Sequence, residues 1–132
     1  MYTNMTTNLM VENVEKSIAF YQEVLGLAVV VSVPSQTGGL QFAILAKDNL
    51  TIMVQEKDNL MAEYPVLKAE KLQPSVTLYI TVDDLDGLYE KLKGNYPVNT
   101  EIHRSFYGAR EFAITDVDGY VLTFAENSEN GN

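Results

Sequence analysis

The sequence contains no cysteine and a single histidine, His103, among its 132 residues. Without cysteine the chain can form neither disulfides nor thiolate metal sites, and it has no cysteine nucleophile. Zinc sites usually have three or four histidine, cysteine or carboxylate ligands, so a zinc site in this chain would have to consist mainly of carboxylates. The lack of cysteine also fits a reducing compartment, so we predict a cytoplasmic protein.

Long apolar runs and an excess of basic residues are missing as well. No run approaches the roughly 20 residues that span a bilayer, and the opening MYTNMTTNLM has no signal-peptide pattern, so we expect no membrane partner. Nine Lys and Arg against 18 Asp and Glu give a formal charge of −9. This charge argues against a nucleic-acid partner, because such binding requires cations that neutralise phosphates. It would attract a cationic ligand, although solubility alone also explains it.

The chain contains one internal repeat. The segment FAILAKDNLTIMVQE (42–56) resembles FAITDVDGYVLTFAE (112–126), and VENVEKSIAFYQEVLGL (11–27) resembles VDDLDGLYEKLKG (82–94). The offsets are 112 − 42 = 70 and 82 − 11 = 71, so two separate matches share one spacing. We infer a single domain, 1–132, with a first unit at 6–56, a connecting segment at 57–74, a second unit at 75–127 and a disordered tail at 128–132.

Each repeat reads as β-α-β-β-β. Asn13 and Asp84 are N-cap types before helical patterns, and the apolar positions on one helical face are Val14, Ile18, Tyr21 and Leu25, then Leu85, Leu88, Tyr89 and Leu92. Gly26 and Gly94 are candidate helix stops. Asp48-Asn49 and Asp118-Gly119 predict the last hairpin turn of each repeat. The fold class is therefore α+β, with two tandem βαβββ units forming a curved, incomplete barrel-like sheet around a cleft and helices outside.

The segments SIAFYQEVLGL and YGAREFAITDVDGYVLTFAE resemble the vicinal oxygen chelate superfamily of glyoxalases, bleomycin-resistance proteins and extradiol dioxygenases. The resemblance covers residues 6–127, and it implies metal ligands on the first and last strands of each unit in the metalloenzymes. Those positions fall at Thr6, Met53, Thr77 and Thr123. Because none is histidine or a carboxylate, we predict no metal and no other cofactor.

The predicted cleft then offers apolar, amide, hydroxyl and aromatic groups. Strand parity and the turn before the seventh strand place these residues at the cleft: Asn8, Met53, Gln55, Thr77, Tyr79, Phe106, Tyr107, Arg110 and Thr123. Arg110 could bind an anionic group, with a strand-end salt bridge as the alternative. His103 lacks a visible orienting partner, and Asp116 and Asp118 are better explained by turn formation, so we predict no catalytic residue.

Three functions remain open from the sequence. The first is a metal-independent protein resembling the bleomycin-resistance branch, which sequesters a small organic molecule, aromatic or cationic, such as an antibiotic. The second is a metal-dependent or metal-free lyase, isomerase or dioxygenase, using Glu101, His103 or Arg110 in the metal-free case. The third is a regulatory module without a small ligand, with segment 57–74 as a contact surface. The resemblance also implies a homodimer.

Overall fold

A computed structural model describes residues 1–126, so the predicted tail at 128–132 lies outside the described residues. The chain divides into two compact units, Met1–Leu72 and a second that begins at Gln73, and the division falls inside the predicted connecting segment. The first unit contains β1 (Thr7–Val11), α1 (Val14–Leu25), β2 (Ala28–Pro34), β3 (Leu40–Lys47), β4 (Leu50–Glu56), α2 (Lys57–Glu63) and a 3-10 helix (Pro65–Leu67). The second contains β5 (Thr77–Val82), α3 (Leu85–Leu92), β6 (Val98–Arg104), β7 (Arg110–Thr115) and β8 (Val121–Glu126).

Each unit contains one four-stranded mixed sheet with the same order. The orders are β1-β4-β3-β2 and β5-β8-β7-β6, and the first strand of each unit runs parallel to the last. Neither sheet closes into a barrel. The equal order, with one helix between the first two strands of each unit, confirms the predicted α+β class and the tandem βαβββ repeat.

The helix ends follow the predicted caps with one exception. Asn13 Oδ1 accepts a hydrogen bond from the Lys16 amide at 2.8 Å, and Asp84 Oδ1 accepts one from the Gly87 amide at 3.0 Å. Gly26 ends α1 in the left-handed region, at φ 71°, which favours glycine. α3 instead ends at Leu92 with a right-handed Lys93, so Gly94 is not the left-handed stop that we predicted.

The core of the first unit lies between α1 and one face of its sheet. Val11, Leu45 and Val54 are fully buried there. The buried positions of α1 are Val14, Ser17, Phe20, Tyr21 and Val24. The buried face of α1 is therefore rotated relative to the predicted face, on which Ile18 and Leu25 are only partly buried. In the second unit the ring of Tyr89 on α3 packs edge-on against Phe112, with centroids 5.2 Å apart.

The connecting segment contains two short helices. Its first half forms α2, whose N-cap is Glu56, and the carboxylate of Glu56 accepts hydrogen bonds from the amides of Asp58 and Asn59. No helix in the described part of the chain is long and apolar enough to span a membrane. α1 covers one face of the first sheet, and α3 covers one face of the second. The predicted cleft residues lie mainly on the opposite face of each sheet.

Candidate functional site

The first unit brings Asn8, Met53 and Gln55 together on the sheet face opposite α1. Asn8 is the register partner of Met53, and Gln55 lies two residues further along β4. Side chains two residues apart in a strand share a face, so Met53 and Gln55 point to the same side as Asn8. On β3, Ile44 and Phe42 are their partners and continue the face. Three of the predicted cleft residues are therefore neighbours.

This face forms the floor of a pocket of about 680 Å³. α2 and the residue that follows it provide the opposite wall. The pocket thus has an apolar floor and a polar end beside the last turn of α2, and it is lined by Asn8, Val33, Gln41, Phe42, Met53, Gln55, Asn59, Ala62, Glu63 and Tyr64. A volume in this range is typical of a small-molecule site.

A chain of hydrogen bonds, here called the amide relay (Asn8, Gln55, Asn59 and Glu63), crosses the polar end. Asn8 Nδ2 donates to Gln55 Oε1 at 2.8 Å. Gln55 Nε2 donates to Asn59 Oδ1 at 2.6 Å and to Glu63 Oε1 at 2.9 Å. Because a carboxylate only accepts hydrogen bonds, Glu63 fixes the orientation of the Gln55 amide. That orientation then requires Asn8 to donate.

Sequence reasoning found Asn8 and Gln55 but missed Asn59 and Glu63. Both lie in the segment that we expected to be a connection without a strand pattern. Their side chains reach Gln55 because α2 begins directly after β4 and folds back over its end. The spacing 55, 59 and 63 repeats every four residues, which is a helical signal, but Gln55 itself belongs to a strand.

The second unit gathers aromatic residues on the face opposite α3. Tyr79 is the register partner of Thr123, and Thr77 lies on the same face of β5. The Tyr79 and Tyr107 rings lie 6.3 Å apart, and Phe106 contacts Tyr107 edge-on at 4.9 Å. Phe106 is fully exposed, and the other two rings are about half exposed. The structure thus brings the predicted aromatic residues of this unit together.

Glu111 is a buried carboxylate beneath these rings, and the sequence prediction did not include it. Only 6% of its surface is exposed, and the Tyr107 hydroxyl donates a hydrogen bond to its carboxylate. That bond raises the pKa of Tyr107, because ionisation would oppose two negative groups. Glu111 lies two residues before Ala113, the β7 partner of Thr123, so parity alone places it on this face.

Arg110 lies apart from the other predicted residues, on the α3 side of the sheet. Its guanidinium contacts Asp86 Oδ1 at 2.9 Å and Glu126 Oε2 at 3.5 Å. The hydrogen bond from Arg110 lowers the pKa of Asp86. These contacts are the strand-end salt bridge that the sequence left as the alternative. Glu126 also accepts a hydrogen bond from the Leu85 amide at 2.9 Å, so it stabilises the start of α3.

His103 and the acidic turn residues have local partners. The ring nitrogen Nδ1 of His103 lies 2.9 Å from the backbone oxygen of Glu101. A backbone oxygen only accepts, so Nδ1 carries the proton in this contact. Asp116 Oδ1 accepts from the amides of Asp118 and Tyr120, both at 2.9 Å. The aspartate thus serves the hairpin turn, as we predicted.

The family model of the glyoxalase/bleomycin resistance protein/dioxygenase superfamily matches residues 4–124. The chain belongs to this superfamily. No match was found among curated proteins. The superfamily assignment agrees with the repeat and with the mixed sheets described above.

Solved structures of similar fold come from several bacteria. A glyoxalase/bleomycin resistance protein/dioxygenase from Nocardioides has a TM-score of 0.77 at 18% identity, over 100% of this chain and 88% of its own. A lactoylglutathione lyase from Agrobacterium tumefaciens has a TM-score of 0.70 at 19% identity, over 99% and 98%. A protein of unknown function from Agrobacterium tumefaciens has a TM-score of 0.72 at 18% identity, over 96% and 97%. At these identities the likeness is one of fold alone.

The four ligand positions that the superfamily resemblance implies are Thr6, Met53, Thr77 and Thr123. Met53 and Thr123 are the register partners of Asn8 and Tyr79, which lie two residues after Thr6 and Thr77. The side chains at the implied positions are three hydroxyls and one thioether. Zn, Fe, Mn and Ni sites prefer imidazole, thiolate and carboxylate, so this set does not fit them. Within residues 1–126 no three His, Cys, Asp or Glu side chains are grouped to hold a metal ion.

Proposed function

We propose that this protein binds a small organic molecule without a metal ion and sequesters it without chemical change. The observation that carries the proposal is the set of side chains at the first-strand and last-strand positions of both units. The resemblance implies that the metal ligands of superfamily metalloenzymes fall at Thr6 and Met53 in the first unit and at Thr77 and Thr123 in the second. The chemistry of these four side chains suits contact with an organic surface better than coordination.

The first-unit pocket supports the same function. Phe42, Met53 and Val33 offer an apolar surface, and the amide relay supplies a small number of fixed polar groups. This combination binds organic ligands by burial and orients them by hydrogen bonds. Stacking on the exposed rings of the second unit would suit an aromatic compound, and the charge of −9 a cationic one. An antibiotic of this kind is one such ligand.

Metal analysis and ligand screening of the intact protein test the proposal together. We expect far less than one Zn, Ni, Mn or Fe per chain after purification without chelators. A library of aromatic and amine compounds should contain members that raise the melting temperature increasingly with ligand concentration, equally with and without EDTA. About one tightly held metal ion per chain would contradict metal independence. A library without any stabilising member would favour the regulatory module instead.

A metal-free acid–base enzyme is the second candidate, and one observation favours it. Glu111 is a buried carboxylate that holds the Tyr107 hydroxyl, and it is the register partner of His103 on β6. Buried carboxylates and oriented imidazoles are the usual proton-transfer groups of enzymes. Turnover of a carbonyl substrate by metal-depleted protein, lost in Glu111→Gln, would establish this function. Binding without turnover would leave sequestration as the function.

We also propose that the protein is a homodimer, as the resemblance implies for small members of the superfamily. The exposed valines of the edge strand β2 (Val29, Val30 and Val31) offer apolar surface that a second copy could cover. Light scattering on a gel-filtered sample should give about twice the chain mass of 14.7 kDa. A mass equal to one chain at all concentrations would remove the dimer from the proposal.

A further inference from the structure

We propose that the first-unit pocket selects protonated organic amines, with the ammonium group at Glu63 and the apolar body on Phe42 and Met53. The proposal rests on the function proposed above and adds the chemical class of the ligand and the residue that recognises it. Neutral compounds of equal shape would bind the same pocket more weakly. Carboxylates and phosphates would be rejected.

The charge of the pocket lining carries the first step. Glu63 is the only charged side chain among the ten residues that line the described pocket, and the lining contains no Lys or Arg. Among the described residues no salt-bridge partner contacts Glu63. A carboxylate in such a position accepts an ammonium hydrogen bond with charge assistance, whereas an anionic ligand would meet repulsion without a compensating cation.

The amide relay carries the second step, because it makes Glu63 a fixed acceptor. Gln55 is buried, with 6% of its surface exposed, and it bonds to Glu63 Oε1 and to Asn59 Oδ1. Both N–H bonds of the Gln55 amide are thereby used inside the protein, so Gln55 offers no donor to an anion. One oxygen of Glu63 is held in place, and the carboxylate is oriented before a ligand arrives.

The last turn of α2 adds two features that favour a cation. Glu63 is the final helical residue, where the unpaired backbone carbonyls carry partial negative charge. Tyr64 follows directly, lines the pocket, and is half exposed. An aromatic ring beside a carboxylate stabilises an ammonium group through its π face. At the other end of the pocket, Phe42 and Met53 provide thioether and aromatic surface for the apolar body of the ligand.

Three naphthalene compounds of similar shape test the selectivity on the intact protein: 2-naphthylmethylamine, 2-naphthylmethanol and 2-naphthoate. Calorimetry gives the affinities, and the NMR signal of the Met53 methyl group reports whether binding occurs in this pocket. We expect the amine to bind about tenfold more tightly than the alcohol, as a charge-assisted hydrogen bond provides. We expect no measurable binding of the acid.

Two variants change the pocket charge in opposite directions. Glu63→Gln should reduce amine affinity to that of the alcohol and leave the alcohol unchanged. Asn59→Asp adds a carboxylate that still accepts from Gln55, and it should tighten amine binding several-fold. Glu23→Gln, an exposed residue on α1 outside the pocket, is the matched control and should change nothing. Asn59→Asp tests whether the charge of the pocket determines amine affinity even if Glu63→Gln perturbs the fold.

The outcomes separate this proposal from the broader one. If amine and alcohol bind equally at Met53 and neither variant changes their ratio, amine selection is wrong and metal-independent binding stands. Tighter binding of the acid than of the amine would likewise overturn amine selection alone. If the amine is preferred but the protein holds one metal ion per chain, metal independence is wrong while the recognition at Glu63 stands. If no compound perturbs Met53, the amine proposal is wrong whatever the metal content.

Discussion

At the scale of single residues, Arg110 and Glu111 are neighbours in β7 whose side chains lie on opposite faces of the sheet. Its side chain lies with α3, while Glu111 points to the face that carries Tyr79 and Thr123. The sequence suggested Arg110 as an anchor for a ligand because it follows the Gly108 turn. The contacts with Asp86 and Glu126 give it a structural role instead.

Replacing Arg110 by methionine should therefore lower stability slightly and leave ligand affinity unchanged. Methionine keeps the apolar stem and removes the ion pairs, and exposed pairs of this kind contribute below about 1 kcal/mol. Urea denaturation measures the free energy of unfolding, and calorimetry with a library ligand measures affinity. A large loss of affinity without a change in stability would restore Arg110 to the binding site.

The raised pKa of Tyr107 should make the free energy of unfolding depend on pH in the alkaline range. Its hydrogen bond to the Glu111 carboxylate raises the pKa of the phenol in the folded state. The contribution to stability is therefore complete below the unfolded-state pKa of about 10 and is lost as pH rises above it. The unfolding free energy of the wild type should fall more steeply above about pH 10 than that of Tyr107→Phe.

The control for this prediction is Tyr2→Phe, because Tyr2 is almost fully exposed, at 94%. Urea denaturation of all three proteins across the alkaline range measures the slopes. Tyr2→Phe should keep the wild-type slope. Equal slopes for Tyr107→Phe and the wild type would show that Glu111 does not raise the pKa of the Tyr107 phenol in the folded state.

At the scale of elements, α1 contains a buried group that weakens it. Ser17 is fully buried against the sheet, and its hydroxyl has no hydrogen-bond partner among the described residues. Burying an unpaired hydroxyl costs free energy, and serine is a weaker helix former than alanine. Ser17→Ala should therefore raise the free energy of unfolding by about 0.5–1.5 kcal/mol.

The comparison variant is Ser105→Ala. In the wild type the Ser105 hydroxyl accepts a hydrogen bond from the Ala109 amide at 3.1 Å. Losing a partnered hydroxyl at a turn should lower stability, so the two alanine substitutions are expected to have opposite signs. Thermal and urea unfolding distinguish them. A loss of stability in Ser17→Ala would mean that the small cavity left behind costs more than the unpaired hydroxyl.

The elements themselves were largely predictable because their signals are local. Strand alternation, the N-caps at Asn13 and Asp84, and the Asp-Gly turn each lie within a few residues of the boundary that they define. The rotated face of α1 was less predictable, since periodicity does not reveal that a serine occupies the centre of a buried stripe. Gly94 directly follows the C-cap Lys93 of α3, as a C′ residue does, but it lacks the left-handed conformation that Gly26 has.

The site was predictable only as far as parity and the repeat extend. Strand parity predicted Asn8, Met53 and Gln55 on one side of the sheet, and the observed register of β1 with β4 makes them neighbours. The bonds from Gln55 to Asn59 and Glu63 depend on how α2 leaves β4, and the sequence pattern of 57–74 does not encode that angle. Glu111 was missed although it shares a face with Thr123, because the sequence does not show that the Tyr107 hydroxyl reaches its carboxylate.

At the scale of the whole molecule, the charge of −9 should act on binding in addition to Glu63. A negative surface attracts a cation from a distance, and dissolved salt screens this attraction while leaving apolar contact intact. Raising NaCl from about 0.02 M to about 0.5 M shortens the Debye length from about 20 Å to about 4 Å. Amine affinity should therefore fall by about tenfold over this range, while the affinity of the matched alcohol should stay constant.

The Glu63→Gln variant separates the local charge from the molecular field. It changes the net charge only from −9 to −8, so a distant field would leave the salt dependence of amine binding nearly intact. If the amine contacts Glu63 directly, the variant instead loses most of the amine affinity at every salt concentration. The remaining acidic residues then give a weaker salt dependence. Calorimetry at four or more salt concentrations gives both slopes. If amine and alcohol lose affinity equally with salt, neither the surface charge nor Glu63 distinguishes the cation, and shape alone governs the pocket.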